Sequence, residues 1–186
     1  LGKDLKKLKK TYADLEKVNK KTKSLKGGLS SKVAQLEETS IETGHYYVQV
    51  LDYLRDIPHS ITFITTPSYD HVDNNHKPMV PVQMEELIDM TRMIRELNSE
   101  INQCLKSGNY STLTDIIAKQ QRVLKFIDTL RKKQVKRIKL NEVGTRNSML
   151  FLGILSESKN LVLQSVNLLK SHRDFYESVN GESEVE

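Results

Sequence analysis

Residues 45–64, HYYVQVLDYLRDIPHSITFI, decide the fold, because apolar and ionisable side chains coincide there in one periodic pattern. At helical spacing Tyr47, Val48, Leu51, Leu54, Pro58 and Ile61 form an apolar stripe. Asp52, Arg55, Asp56 and His59 share a flank at steps of three or four. Carboxylates at i and i+4 repel, at a cost of about 0.2 to 0.5 kcal/mol on an exposed helix, so something must compensate Asp52 and Asp56. Two compensators are open. One is ion pairing with Arg55 and His59; the other is a divalent cation held between this helix and a neighbour.

Working outward, the helix carrying this stretch is expected to begin near Leu29, capped by Ser30 or Ser31, and to run through Val33 and Leu36 to about Thr65. Pro58 should kink it one turn beyond Asp56, and Gly44 should permit a close helix approach or a bend. Thr66 to Pro81, TPSYDHVDNNHKPMVP, reads as the single long connection. It places His71, Asp73 and His76 in a His-x-Asp-x-x-His cluster, a second candidate metal site whose bland alternative is turn-forming and surface residues.

Beyond it three more amphipathic helices are predicted. One runs from Pro81 or Val82 to about Ser107 with Met84, Leu87, Ile88, Ile94, Ile101 and Leu105 inward, closed by Gly108-Asn109. The next spans about 111–140 with Leu113, Ile116, Ile117, Val123, Leu124, Ile127, Leu130 and Ile138 inward. After a turn at Asn141 to Gly144, the last spans about 146–179; Met149 to Leu155 reads as buried all round, and Leu161, Val162, Val166 and Leu169 continue the seam. Gly181 to Glu186 is expected to be a disordered tail.

The basic character belongs to one segment. Residues 1–26 hold ten lysines against three carboxylates, +7 of a chain whose net charge is +5, so the remainder carries −2. Leu5, Leu8, Tyr12, Leu15, Val18 and Leu25 give this segment an apolar stripe, and Gly27-Gly28 ends it. Lys3, Lys6, Lys7, Lys9, Lys10, Lys17, Lys20 and Lys21 are the candidate contacts to an anionic membrane surface. A solvated helix face and a nucleic-acid backbone are the competing readings. Against nucleic acid stand the negative balance of the other residues and the absence of a recognisable reading module, so no nucleic-acid partner is expected.

A chain of 186 residues suits one core, and 37% apolar residues with no Trp suit packed helices better than a sheet sandwich. The fold class expected is all-α, an antiparallel bundle of about five helices. Cys104 is the one cysteine; it lies beside Ile101 and Leu105 and reads as core filler. The longest apolar run, Met149 to Leu155, is far short of the roughly 20 residues that span a bilayer. No glycine-rich phosphate loop, nucleophile elbow or cysteine pair occurs, so no enzymatic activity is expected. The best catalytic case would be metal-assisted hydrolysis by Asp52, Asp56 and a histidine.

Leu51-Asp52-Tyr53-Leu54-Arg55-Asp56 resembles the acidic-x-x-x-Asp metal motif of the PhoU family of phosphate-signalling proteins, which are built of repeated three-helix units. HYYVQVLDYLRDIPHSITFI together with HVDNNHKP is closer still to the PhoU-like tail of bacterial sodium/phosphate cotransporters. The resemblance runs from the lysine-rich start to about Lys170. It implies a PhoU-like bundle over 27–180 preceded by a juxtamembrane helix over 1–26, on the cytoplasmic side of the bacterial inner membrane. It implies also a divalent metal at Asp52 and Asp56, and a role in phosphate transport or its regulation. The implied partners are the membrane-embedded part of the same polypeptide and anionic lipid, with a homodimer open. A chain starting at Leu1 fits a piece of something longer. At the family's second acidic motif this chain has Ser156 and Asn160, so that site looks lost. A free-standing metal-binding phosphate-signalling protein is the alternative within the family.

Overall fold

Apolar stripes at helical spacing pair into helices, and the computed structural model, which describes residues 5–27 and 41–182, contains five. They are α1 (Leu5–Gly27), α2 (Ile41–Asp73), α3 (Pro81–Ser107), α4 (Leu113–Lys139) and α5 (Thr145–Glu182). No strand occurs among the described residues, so the fold is an all-α helical bundle. The expected start near Leu29, its caps Ser30 and Ser31, Val33, Leu36 and Lys3 lie outside the described residues. Of the expected tail, 181 and 182 continue α5 and 183–186 lie outside too.

The core sits between α3, α4 and α5. Leu97 of α3, Val123 and Leu130 of α4, and Phe151, Val162, Val166 and Leu169 of α5 are all 0% exposed. Each such side chain contributes roughly 1.5 to 3 kcal/mol through removal of apolar surface from water. Three expected core residues point outward instead: Ile88 is 62% exposed, Ile138 40% and Met149 71%. The cause is polar residues inside the seam. On α3 the buried line runs Gln83, Glu86, Met90, Ile94, Leu97, Ile101, Cys104, and on α4 it ends in Gln134 and Arg137. A helix buries one stripe, and hydrogen-bonded polar side chains can occupy it, which turns neighbouring apolar residues to solvent.

A single bundle would have the helix of residues 45–64 share this core with the other three, but α2 lies mainly outside it. It runs antiparallel along α5, with Thr43 Oγ1 donating to Ser178 Oγ (3.1 Å) at one end and Asn147 Nδ2 donating to the Pro78 carbonyl (2.8 Å) at the other. Ile64 is its one side chain packed on the central cluster among the described residues. Small hydroxyl residues are buried on both helices, Ser60 and Ser68 on α2 and Ser158, Ser165 and Ser171 on α5, so the backbones approach without a thick apolar layer. α1 lies on α2 and on no other described helix. The bundle is thus layered, α1 on α2, α2 on α5, and α5 in the three-helix core.

The connection after α2 is also shorter than expected, because the helix continues through Pro67 to Asp73. A proline inside a helix deletes one hydrogen bond and crowds the preceding turn, at about 3 kcal/mol or more. Here tertiary contact offsets that cost: continuation buries Ser68 and His71 and brings Thr66, Tyr69 and Asp70 under α1. The helix closes with amide bonds from Asn74 to Asp70 and from His76 to His71, Asn75 adopting a left-handed conformation (φ 52°).

Candidate functional site

The acidic flank of α2 is an exposed ion-pair cluster. Arg55 Nε donates to Asp56 Oδ1 at 2.8 Å, and its Nη1 lies 3.5 Å from Asp52 Oδ1. One guanidinium therefore bridges both carboxylates, and the Asp56 hydrogen bond raises the Arg55 pKa further above its ordinary value. His59 does not join them; its ring stacks on Phe63, centroids 4.6 Å apart. The ion-pair arrangement weighed from the sequence is the one the side chains adopt for Arg55 and not for His59.

The His71, Asp73 and His76 cluster separates. His71 is buried, and its Nε2 donates to the Lys77 carbonyl at 3.1 Å, which fixes the proton on that nitrogen. Asp73 turns to the Tyr69 hydroxyl, which donates to it at 3.3 Å. His76 meets the His71 ring edge-on, centroids 5.4 Å apart, and Arg146 at the start of α5, whose Nη1 is 2.8 Å from Nδ1. Lost hydration, the Arg146 charge and His71 together push the His76 imidazole below its ordinary pKa. Among the described residues no group of three or more His, Cys, Asp or Glu is arranged to hold a metal ion.

Comparison with family models, with curated proteins and with solved structures gives no match.

Of the candidate membrane-surface residues, Lys6, Lys7, Lys9, Lys10, Lys17, Lys20 and Lys21 are all exposed on α1. Leu15 and Thr22, each 8% exposed, form the side that meets α2. Tyr12 and Val18 stay half out, at 43% and 47%, so the apolar stripe of α1 is narrower than its sequence suggests. Asp14 pairs with Lys17 at 3.2 Å in the open. No described helix is long and apolar enough to cross a membrane.

The structure also shows a polar network that apolar periodicity misses. Gln83 Oε1 accepts the Val80 amide (3.2 Å), and its Nε2 donates to Gln134 Oε1 (3.0 Å). Gln134 Nε2 donates to Ser148 Oγ (3.1 Å), which donates to the Gly144 carbonyl (2.9 Å). Beside them Arg137 grips Glu86 with two hydrogen bonds, 2.8 and 2.6 Å. The start of α3, the end of α4 and the start of α5 are thereby tied at one end of the bundle. The sequence signal was present: polar pairs three apart, 83/86 and 134/137, each in step with an apolar seam.

Proposed function

We propose that the chain is a regulatory and interaction domain of a sodium-dependent phosphate transporter-like membrane protein, held at the cytoplasmic face and acting through helix packing rather than catalysis. The observation that carries this reading is α1: seven of the candidate lysines point to solvent from a helix that, among the described helices, touches α2 alone. Such a helix can meet an anionic lipid surface with one side and report its position to the bundle with the other. Each basic residue near the lipid contributes about 1 kcal/mol, so several acting together suffice to hold a domain already tethered there. The transporter itself is supplied by the resemblance of residues 45–64 and 71–78, which lie on α2 and its exit, the element α1 rests on.

Vesicle flotation tests it. The protein should float with phosphatidylglycerol vesicles, stay behind with phosphatidylcholine, and release as salt shortens the electrostatic reach below about 8 Å. A variant with Lys9, Lys10, Lys17 and Lys20 replaced by Glu should not float. Equal binding to neutral vesicles, or a preference for duplex DNA at physiological salt, would overturn the reading. In an intact transporter, removing this domain should alter regulation or assembly and leave the transport pathway in place.

A further inference from the structure

Where the lower half of α2 meets the first turns of α5, a cavity of about 390 Å³ opens to solvent, within the range of about 300 to 1,000 Å³ usual for small-molecule sites. Its walls are apolar on the side of Phe63, Pro67, Leu150 and Ile154 and ionisable on the side of Asp70, His71, His76 and Arg146. Phe63 and Met149 line it while remaining 54% and 71% exposed, and Leu150 and Ile154 form the deeper wall. Gly153 belongs to the lining, in the interior of α5, and a Cβ built there would meet nothing within 4 Å. Glycine in a helix interior costs about 1 kcal/mol relative to alanine, and packing among the described residues does not ask for it here. What the missing side chain provides is open space over the α5 backbone.

At one end of the cavity stands Arg146. Among the described residues it has no carboxylate within ion-pairing distance; its polar contact is the His76 ring, which cannot neutralise it. A guanidinium is a planar fork suited to a carboxylate, and it stays charged at every working pH. Asp70 is the one carboxylate in the lining, and it also lines the separate cavity under α1. We infer that this cavity binds a small amphipathic anion, a carboxylate on an unbranched apolar chain, its head at Arg146 and its chain along Phe63, Met149 and Leu150 over Gly153. The inference is independent of the membrane reading, since none of these residues lies on α1.

Titration of the whole chain with decanoate, followed calorimetrically and by amide shifts of the labelled protein, tests it. Saturable binding is expected, with shifts concentrated at Phe63, Leu150 and Gly153. Arg146→Gln should weaken it ten- to a hundredfold, the range of a lost hydrogen bond to a charged group. Asp70→Asn should tighten it, and Gly153→Leu, whose Cβ meets nothing and whose branched end would enter the cavity, should block it while the fold persists. Decyltrimethylammonium should not compete, and inorganic phosphate should compete weakly or not at all. Absence of saturable decanoate binding, equal binding of the cationic amphiphile, or binding unchanged in both Arg146→Gln and Gly153→Leu would overturn the assignment.

Discussion

Glu86 and Arg137, 8% and 9% exposed, form the one buried ion pair of the polar network described above. Removing one partner of such a pair strands the other charge, so Arg137→Met should cost about 3 to 5 kcal/mol in a urea melt. The lower end is expected because Lys133 Nζ lies 3.5 Å from the same Glu86 oxygen. Replacing both residues with apolar ones, Glu86→Leu with Arg137→Met, should recover most of the loss, because a well-packed apolar pair avoids the desolvation cost. A second residue-scale prediction concerns His172. The Tyr110 hydroxyl donates to its Nδ1 at 2.6 Å, and burial pushes the His172 pKa below its ordinary value of about 6.5 while raising that of Tyr110. Because the unfolded chain takes up the proton first, this contribution is complete above pH 6.5 and declines as pH falls through the depressed folded value. His172→Phe should flatten that part of a melting-temperature profile between about pH 7 and 5. At Asp52 and Asp56, already bridged by Arg55, added zinc, manganese or iron should leave the melting temperature unchanged; a rise that vanishes in Asp56→Ala would show instead that a cation displaces the guanidinium.

Among the elements, α5 carries the simplest test. Gly153→Ala places a methyl group where nothing lies within 4 Å and removes the flexibility of glycine, so it should stabilise the protein by up to about 1 kcal/mol. A lower denaturant midpoint would mean that the backbone there is under a constraint the geometry does not display. The boundaries of α3, α4 and α5 were legible in the sequence because their punctuation is local: Pro81 at a helix start, Gly108 with its left-handed φ of 66° at an end, and the Asn141 to Gly144 turn. The end of α2 was not legible. Pro67 is a stop signal on its own terms, and only contacts with α1 and α5, distant in sequence, outweigh it. The same limit applies to the site. Arg55 between Asp52 and Asp56 could be read from spacing of one and three, whereas Arg146 reaches His76 from 70 residues away and no local pattern announces it. The separation of Asp73 from the two histidines follows equally from the unexpected continuation of α2, which aims it at Tyr69 one turn back.

For the molecule as a whole, the layered order predicts unequal stability. Leu15→Asp should detach α1 by placing a charge in its contact with α2, raising hydrogen exchange along α1 while the amides of α3 to α5 keep their protection. Exchange rising equally throughout would mean that the layers unfold as one unit. The order of the layers also governs how a load would travel. A pull or push applied to α1 passes, among the described helices, through α2, which hands it to the core by two routes, its face on α5 and its exit toward α3, where Met79 is buried in the central cluster. The face of α2 on α5 is latched at more than one point, by Thr43 to Ser178, by Ser171 Oγ donating to Gln49 Oε1 (2.9 Å) and by the Tyr47 and Phe175 rings, while Asn147 holds the Pro78 carbonyl just past the end of α2. Displacement at the lysine-covered helix would therefore move α2 and α5 together, as a latched pair, rather than slide one along the other.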